Sequence, residues 1–237
     1  LMKVVILAGG LGTRLSEYTK TLPKPMVKVL KKPILLSIMN LYSYYGYNEF
    51  IIALGYKGSV IKDYFRKTEI KKNWTVNLVD TGLTTMTGGR LKRLKHFFIK
   101  NEDFLMTYGD GLSDVNLKKL VNFHKTKKAL ATLTAVRPPS RFGVIKIHND
   151  KVKVFKEKSS LGEGWINGGF FVINSNFLKF IKNDSTFLER DPLEKISKKG
   201  KLFAYKHSGF WQCMDTVRDK EILENKIKNS KWLKKIF

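Results

Sequence analysis

The sequence is poor in cysteine and lacks long hydrophobic runs. Cys213 is the only cysteine, so no disulfide can form within the chain and no cysteine-based zinc site is possible. No apolar run approaches the ~18 residues that a membrane-spanning helix needs, and no charged leader with an apolar core precedes the first predicted strand. These absences favour a soluble, cytoplasmic protein with no membrane partner.

Acidic residues are also scarce. The chain carries 20 Asp and Glu against 45 Lys and Arg, a net charge of +25, and such a field attracts polyanions of any kind. The basic residues come as scattered pairs, such as Lys31-Lys32 and Lys127-Lys128, which favours solvated lysine-rich faces over a specific nucleic-acid partner. With 237 residues, 43% of them hydrophobic, the chain is long enough for one substantial α/β domain.

The most informative stretch that is present is KVVILAGGLGTRLSEYTKTLPKPM at 3–26. Val4 to Leu7 is a short β-branched apolar run of the kind found in buried parallel strands, and a glycine-rich loop, 8–14, follows it. Because three positions of this loop lack side chains, its backbone N–H groups can approach a polyphosphate closely. Arg14 adds a cationic fork, and two prolines restrict the backbone on either side of Lys24, which suits a bound triphosphate.

A glycine-rich turn taken alone could be only a turn. The strand, the loop, Thr13-Arg14 and Lys24 together form a more specific signal. The loop is not a Walker loop, because no Gly-Lys-Ser/Thr follows it, and it is not the dinucleotide pattern GxGxxG, because position 15 is leucine.

Further along the chain, helical and strand patterns alternate, which predicts an α/β fold with a largely parallel sheet. A basic amphipathic helix in 221–237 is expected to pack on the body of the protein or on another subunit. His124 is expected at the surface or at an interface. Helices are predicted at 33–45, 60–65 and 115–125, strands at 49–54, 76–79, 104–108, 129–136 and 202–205, and short strands, partly antiparallel and over the sheet edge, at 144–147, 152–155 and 166–173.

A second loop rich in small and hydroxyl residues, 80–90, precedes another helical pattern. Thr85 or Thr87 could simply cap that helix. A cation is unfavourable near the start of a helix, because that end carries partial positive charge. An anionic ligand beside Arg90 would offset this repulsion. This loop is therefore a second candidate anion site.

Two carboxylates are candidate metal ligands. Asp110 lies between glycines at a predicted strand end, where it could hold a hard cation or only shape a turn. Asp215 could be a second ligand or a helix N-cap. Between them, Glu157-Lys158 could be only an exposed charge pair, and Asn167-Gly168-Gly169 interrupts a strand, where glycine often marks the close approach of a ligand.

The chain resembles the sugar-1-phosphate nucleotidyltransferases, and within them the branch that transfers a cytidylyl group to glucose 1-phosphate. The likeness runs from Lys3 to about Asp219 and rests on segments that occur in the family's order: LAGGLGTRL, PKPM, DTG followed by MTGGRLKR, TYGDG, RFGV, INGGFFV and FWQ-x-MDT.

The resemblance implies a Rossmann-like α/β fold, in which a mostly parallel mixed sheet is flanked by helices and accompanied by a small, partly antiparallel sugar-binding region. A single nucleotidyltransferase domain, 1–237, would contain a nucleotide-binding part, 1–137, and a sugar-binding part with the C-terminal helix, 138–237. The resemblance also implies a homo-oligomer that makes a nucleotide sugar for lipopolysaccharide O-antigen.

The same resemblance implies which residues bind CTP, glucose 1-phosphate and magnesium. The catalytic set would be Arg14, Lys24, Asp110, Lys158 and Asp215, of which Asp110 and Asp215 would hold Mg²⁺. The sugar phosphate would contact Gly143, Glu157, Lys158, Asn167 and Gly168. The nucleotide would contact Leu7, Ala8, Gly9, Gly10, Leu11, Gly12, Thr13, Arg14, Lys24, Thr85, Arg90 and Gly109.

The sequence departs from the family pattern in two places. The usual Glu-Lys-Pro is Glu157-Lys158-Ser159 here, which loses a rigid turn but keeps both charges. Members of the branch carry a longer, lid-like segment between the positions that match Phe65 and Trp74, whereas only Arg66 to Asn73 bridges that gap here. Either the protein lacks the lid, or flexible lid residues are missing from this chain.

The expected chemistry is in-line displacement at the α-phosphorus of the triphosphate. A phosphate monoester, with a second pKa of ~6, is already an anionic nucleophile near neutrality, so no general base is needed, and no predicted site residue is a histidine. Two alternatives stay open. One is a related transferase that uses another base or sugar, and the other is a non-catalytic nucleotide- or nucleic-acid-binding protein.

Overall fold

The fold is built on strands that alternate with helices along the chain. The computed structural model describes residues 2–138, 144–148, 150–156 and 164–236. The strands are β1 (Val4–Leu7), β2 (Lys28–Val29), β3 (Lys32–Pro33), β4 (Glu49–Leu54), β5 (Thr75–Asp80), β6 (Asp103–Tyr108), β7 (Gly111–Ser113), β8 (Ala131–Val136), β9 (Val144–His148), β10 (Lys151–Lys156), β11 (Ile166–Asn174), β12 (Leu202–His207) and β13 (Trp211–Cys213).

The helices match most of the predicted ones within a few residues. They are α1 (Ser16–Thr19), α2 (Ile34–Tyr44), α3 (Gly58–Lys67), α4 (Thr87–Arg93), α5 (Leu117–Lys127), α6 (Asp191–Lys198), α7 (Val217–Asn229) and α8 (Lys231–Ile236), with 3₁₀ turns at Thr13–Leu15, Lys24–Met26, Lys95–Phe97 and Ser175–Phe180. Within the described ranges, no helix has the length and apolar character that crossing a bilayer requires.

Seven strands form one mixed sheet in the order β12-β8-β11-β6-β1-β4-β5. Strand β1 pairs in parallel with β4 and β6, β4 with β5, and β8 with β12, whereas β11 runs antiparallel to both β6 and β8. Six strands therefore share one direction, which confirms the predicted mostly parallel sheet.

The position predicted for β11 at the sheet edge is wrong, because this strand lies inside the sheet. Its residues from Gly168 to Ile173 are all buried, and Phe170 to Ile173 are at most 1% exposed. Such a continuous apolar run is typical of a strand that is covered on both faces. The antiparallel part of the prediction is confirmed, because β11 runs antiparallel to β6 and β8, and β9 and β10 form a separate antiparallel pair.

Apolar side chains cover both faces of the sheet. Consecutive residues of a strand point to opposite faces, so Val4 and Ile6 join one core cluster and Val5 joins the other. Helices α7 and α8 contribute Leu223 and Leu233 to the first cluster. The predicted C-terminal helical tail therefore packs on the body of the chain.

The surface position expected for His124 is wrong. Its side chain is buried, with Nδ1 2.9 Å from Thr132 Oγ1 and Nε2 3.5 Å from Asp103 Oδ1. His124 lies seven residues after Leu117 on α5, so it falls on the same buried helix face. These two polar partners, on β8 and β6, satisfy the ring in the core.

A short packed connection joins α3 to β5. The side chain of Trp74 is buried, packs edge-on against Phe50 and donates from Nε1 to Ser43 Oγ at 3.0 Å. The ammonium of Lys71 lies 5.1 Å from the Trp74 ring centroid. Packing thus fixes this connection against α2 and β4.

Candidate active site

A cavity of about 640 Å³ opens at the carboxyl ends of β1 and β6, where open α/β sheets bind their ligands. Asp110, Asp215, Asn167 and Gly168 line it. Eleven of the twelve predicted nucleotide residues also line it, namely Leu7, Ala8, Gly9, Gly10, Gly12, Thr13, Arg14, Lys24, Thr85, Arg90 and Gly109.

The remaining predicted residues fall elsewhere. Leu11 does not line the cavity, and its side chain is 54% exposed. The predicted contacts of Gly143, Glu157 and Lys158 lie outside the described residues.

Arg90 is buried beneath the glycine-rich loop. Its Nη1 donates to Leu54 O at 3.0 Å and to Thr81 Oγ1 and Gly82 O at 2.7 Å, and its Nη2 donates to Gly9 O at 2.9 Å. These oxygens satisfy the guanidinium, so Arg90 does not need an anion to offset its place near the helix start, and an anion site at this loop stays a prediction. Burial lowers the pKa of Arg90, and the charge of nearby Asp80 acts in the opposite direction.

The glycine at position 9 is required by this arrangement. A Cβ atom there would overlap the Arg90 guanidinium, so the loop and the arginine fit together only without a side chain. The loop is also tied to the sheet, because Ala8 N donates to Ala53 O at 2.9 Å. Arg90 thus sets the position of a loop whose neighbouring residues face the cavity.

Neither predicted threonine caps α4. Its N-cap residue is Met86, with no side-chain cap bond. Thr85 is buried, and the Thr87 hydroxyl donates to Glu189 Oε2 at 2.7 Å instead. The helix therefore begins against the loop that precedes α6.

Lys24 lines the cavity and lies between two carboxylates. Its Nζ is 2.7 Å from Asp110 Oδ2 and 2.5 Å from Asp215 Oδ1. Arg14 Nη1 is 3.0 Å from the other oxygen, Asp215 Oδ2. Burial disfavours the charged ammonium, but attraction and hydrogen bonds from the two carboxylates outweigh burial and raise the pKa of Lys24.

Backbone pairing brings the two carboxylates together from distant parts of the chain. Gly109 N donates to Leu7 O at 3.0 Å, which places Asp110 beside the end of β1. Strand β13 pairs with β7, and Met214 N donates to Asp110 O at 2.8 Å, which delivers Asp215 to the same point. A Cβ at Gly109 would lie 2.9 Å from Pro25 Cγ, so glycine lets the Lys24 turn approach.

The alternative in which Asp215 caps a helix is wrong. Helix α7 has Thr216 as its N-cap, with a capping box in which Asp219 accepts from the Thr216 backbone N–H at 2.9 Å. Asp215 precedes the cap and faces Lys24 and Arg14. The helix start fixes the backbone next to this carboxylate.

The donor set fits a hard divalent cation. No group of three or more potential metal-ligating side chains occurs among the described residues. Magnesium usually takes one or two protein carboxylates together with substrate phosphates and water. Two carboxylates that converge on Lys24 beside the glycine-rich loop match that requirement.

On the side of β6 that is opposite β1, Gly168 and Gly169 interrupt β11, as the sequence predicts. The β11–β8 register shifts between Asn167 and Phe171, which is a bulge. Gly169 adopts φ +79° and its N–H donates to Asn167 Oδ1 at 2.9 Å, while Trp211 Nε1 donates to Gly168 O at 2.7 Å. The bulge turns this strand end toward the cavity.

Sequence reasoning missed several residues that line the cavity. Tyr108 immediately precedes Gly109-Asp110, and Trp211 lies in the segment FWQ, so both lay next to recognised motifs. Phe187 and Glu189 also line the cavity. They belong to the loop before α6, which carries no pattern typical of a site.

The mostly parallel sheet, the glycine loop and the paired carboxylates are typical of a nucleotide-binding transferase. A sequence profile of the Nucleotidyl transferase family matches residues 3–218, and the chain belongs to this family. The chain is 48% identical to glucose-1-phosphate cytidylyltransferase of Salmonella typhimurium, over 94% of this chain and 95% of that enzyme. It is 33% identical to mannose-1-phosphate guanylyltransferase 1 of Arabidopsis thaliana, over 92% of this chain and 62% of that protein.

Solved structures agree with the sequence relatives. HddC from Yersinia pseudotuberculosis superposes with a TM-score of 0.76 and 26% identity, covering 96% of this chain and 100% of HddC. The predicted family and the Rossmann-like fold are confirmed, and the protein is a nucleotidyltransferase.

Proposed function

We propose that the protein transfers a cytidylyl group from CTP to glucose 1-phosphate, giving CDP-glucose and pyrophosphate. The Salmonella enzyme named for this reaction shares 48% of its residues with this chain, against 33% for the guanylyltransferase of Arabidopsis. The observation that carries the proposal is the contact of Lys24 with both Asp110 and Asp215 beside the glycine loop. This arrangement suits charge neutralisation on a triphosphate.

The residues have separable roles in this reaction. The loop N–H groups and Arg14 would hold the β- and γ-phosphates, and Lys24 would lie near the α-phosphate. A phosphate oxygen of glucose 1-phosphate attacks the α-phosphorus, a new P–O bond forms, the bond to the bridging oxygen of the β-phosphate breaks, and pyrophosphate leaves. The protein needs to align two anions that repel each other, and no proton has to move.

Enzymes of this family generally use a divalent metal ion, and we propose magnesium. Asp110 and Asp215 would hold it, and it would neutralise negative charge on the reacting phosphates. Lys24 bridges the same two carboxylates, and its ammonium would add positive charge beside the reacting phosphates.

A panel of substrates tests the reaction. Each of CTP, UTP, dTTP and GTP is combined with glucose 1-phosphate or mannose 1-phosphate in the presence of magnesium, and pyrophosphate release is measured. We expect the highest kcat/KM with CTP and glucose 1-phosphate. A preference for another pair would support a related transferase, and release with none of them, together with salt-sensitive RNA or DNA binding, would support a non-catalytic protein.

Replacing one carboxylate tests the metal site. Asp110→Asn should lower pyrophosphate release by about 100-fold or more, because the amide removes a metal-ligating charge, while the melting temperature stays near that of the unchanged protein. Asp63→Asn is the matched control, since Asp63 pairs only with Arg66 on the surface of α3 in the described contacts. Normal turnover by Asp110→Asn would contradict the assignment.

A further inference from the structure

A third carboxylate lines the cavity and is held by two hydroxyl groups. Glu189 Oε1 accepts from Tyr108 Oη at 2.5 Å, and Glu189 Oε2 accepts from Thr87 Oγ1 at 2.7 Å. The Thr87 oxygen in turn accepts from Leu188 N at 2.9 Å. A carboxylate offers about four lone-pair sites, so this arrangement fixes Glu189 and still leaves acceptor capacity for a ligand.

Glu189 differs in its surroundings from the two carboxylates at Lys24. Asp110 and Asp215 form short ion pairs with Lys24. The ion pairs found among the described residues do not include one for Glu189. Burial and the Glu189 charge raise the pKa of Tyr108, so its hydroxyl remains a donor. The cavity therefore contains a negative group that is held by neutral donors.

Glu189 lines the cavity beside the end of β6, where it accepts from Tyr108. Tyr108 ends β6, which has β1 and its glycine loop on one side and β11 on the other. Asn167 on β11 reaches toward Tyr108, with Nδ2 3.5 Å from Tyr108 Oη. If the reacting phosphates lie at Lys24 and the nucleotide takes the β1 side with its glycine loop, the β11 side is left for the sugar.

This side has the chemistry of a site for a polyhydroxylated ring. It combines a fixed carboxylate and an amide with the ring systems of Phe187 and Trp211, all of which line the cavity. Hydrogen bonds from hydroxyl groups to an ionised carboxylate are stronger than those to neutral acceptors. A fixed negative charge also repels a ligand that carries a further anion at that point.

We propose that Glu189, positioned by Tyr108 and Thr87, binds a hydroxyl group of the sugar ring and excludes sugar phosphates that carry a second acidic group. This inference rests on the proposed function, because it requires the sugar phosphate to occupy the β11 side of the cavity. Glu189 then determines which sugar phosphate binds, and Tyr108 and Thr87 position its carboxylate.

The test compares the unchanged protein with Glu189→Gln. Glutamine keeps the shape of the side chain but removes the charge. We expect KM for glucose 1-phosphate to rise about 10- to 100-fold, the range for loss of one charge-assisted hydrogen bond, with KM for CTP changed less than about twofold. The ratio of kcat/KM for glucuronic acid 1-phosphate to that for glucose 1-phosphate should rise about tenfold or more, since like-charge repulsion is removed.

Monodeoxy analogues of glucose 1-phosphate identify the hydroxyl. The unchanged protein should discriminate strongly against the analogue that lacks the bound group, and Glu189→Gln should lose that discrimination at one ring position only. Tyr108→Phe removes a positioning donor and should raise KM for the sugar phosphate by a smaller factor. Glu194→Gln, an exposed carboxylate on α6, is the control and should change none of these values.

Three results would overturn the inference. They are an unchanged KM for the sugar phosphate in Glu189→Gln, an equal rise in KM for CTP, and uniform loss of discrimination at every ring position. If CTP and glucose 1-phosphate release no pyrophosphate with the unchanged protein, the proposed reaction is wrong, but the role of Glu189 is not yet contradicted. The comparison is then made on the pair of substrates that the panel shows to be active, and the same three results decide it.

Discussion

Arg90 shows how a single buried residue can organise a binding loop. Its side chain is 4% exposed, and its guanidinium donates to oxygens at the last residue of β4 and in the loops that follow β1 and β5. A buried cation is costly unless its donors are satisfied, and here backbone carbonyls and one hydroxyl meet that need. From the sequence, the residue was identified as a site residue, but its acceptors lie in three separate segments that no local pattern connects.

Arg90→Lys should therefore destabilise the protein by about 3 kcal/mol, because an ammonium cannot span these acceptors and leaves buried carbonyls unpaired. KM for CTP should rise as well, since the Gly9 carbonyl is no longer held. Chemical denaturation and steady-state kinetics measure the two effects.

Arg93→Lys is the control on the same helix. Arg93 pairs with Asp184 at the surface, with Nη2 2.6 Å from Oδ2, and exposed pairs contribute little. We expect no measurable change in stability. Equal behaviour of the two variants would contradict the role given to Arg90.

At the scale of elements, a short strand and the start of a helix position Asp215. The ladder between β7 and β13 and the start of α7 hold the backbone on both sides of Asp215. The periodicity of apolar residues predicts which helices and strands form, and most of their bounds agree with the structure within a few residues. The pairing of β13 with β7 was not predictable, because a three-residue strand carries no periodic signal.

Thr216→Ala tests the coupling between the helix cap and the site. Loss of the cap should reduce the free energy of unfolding by about 1 kcal/mol. It should also lower kcat, since Asp215 is the preceding residue and its backbone loses its anchor. Urea denaturation and pyrophosphate release are the measurements.

Thr216→Ser keeps the hydroxyl and should restore both values. A loss of stability with unchanged kcat in Thr216→Ala would show that the cap supports the helix without positioning Asp215.

At the scale of the whole molecule, the dominant property is the net charge of +25. The substrates of the proposed reaction are anions, and a positive electrostatic field around the protein raises their local concentration and association rate. The assembly into a homo-oligomer and the division at 137 into nucleotide- and sugar-binding parts stay predictions. The charge itself gives a direct test.

Added NaCl should raise KM for CTP while kcat changes little. The Debye length falls from about 30 Å at 0.01 M to about 10 Å at 0.1 M, so long-range attraction is screened but contacts inside the cavity persist. Initial rates at constant free magnesium measure the effect. A KM that stays constant over this range would show that the surface charge does not assist substrate binding.

The sequence by itself determined the local features of this protein: the strand and helix patterns, the glycine loop, the proline-restricted Lys24 and the ordered motifs that identify the family. These depend on residue type and on neighbours within one or two turns, so they can be read along the chain. Only the tertiary structure decided that Lys24 contacts Asp110 and Asp215, that β11 lies inside the sheet, and that Glu189 enters the cavity. Each of these depends on backbone pairing or packing between segments far apart in the chain, where the favourable contacts exist only after folding.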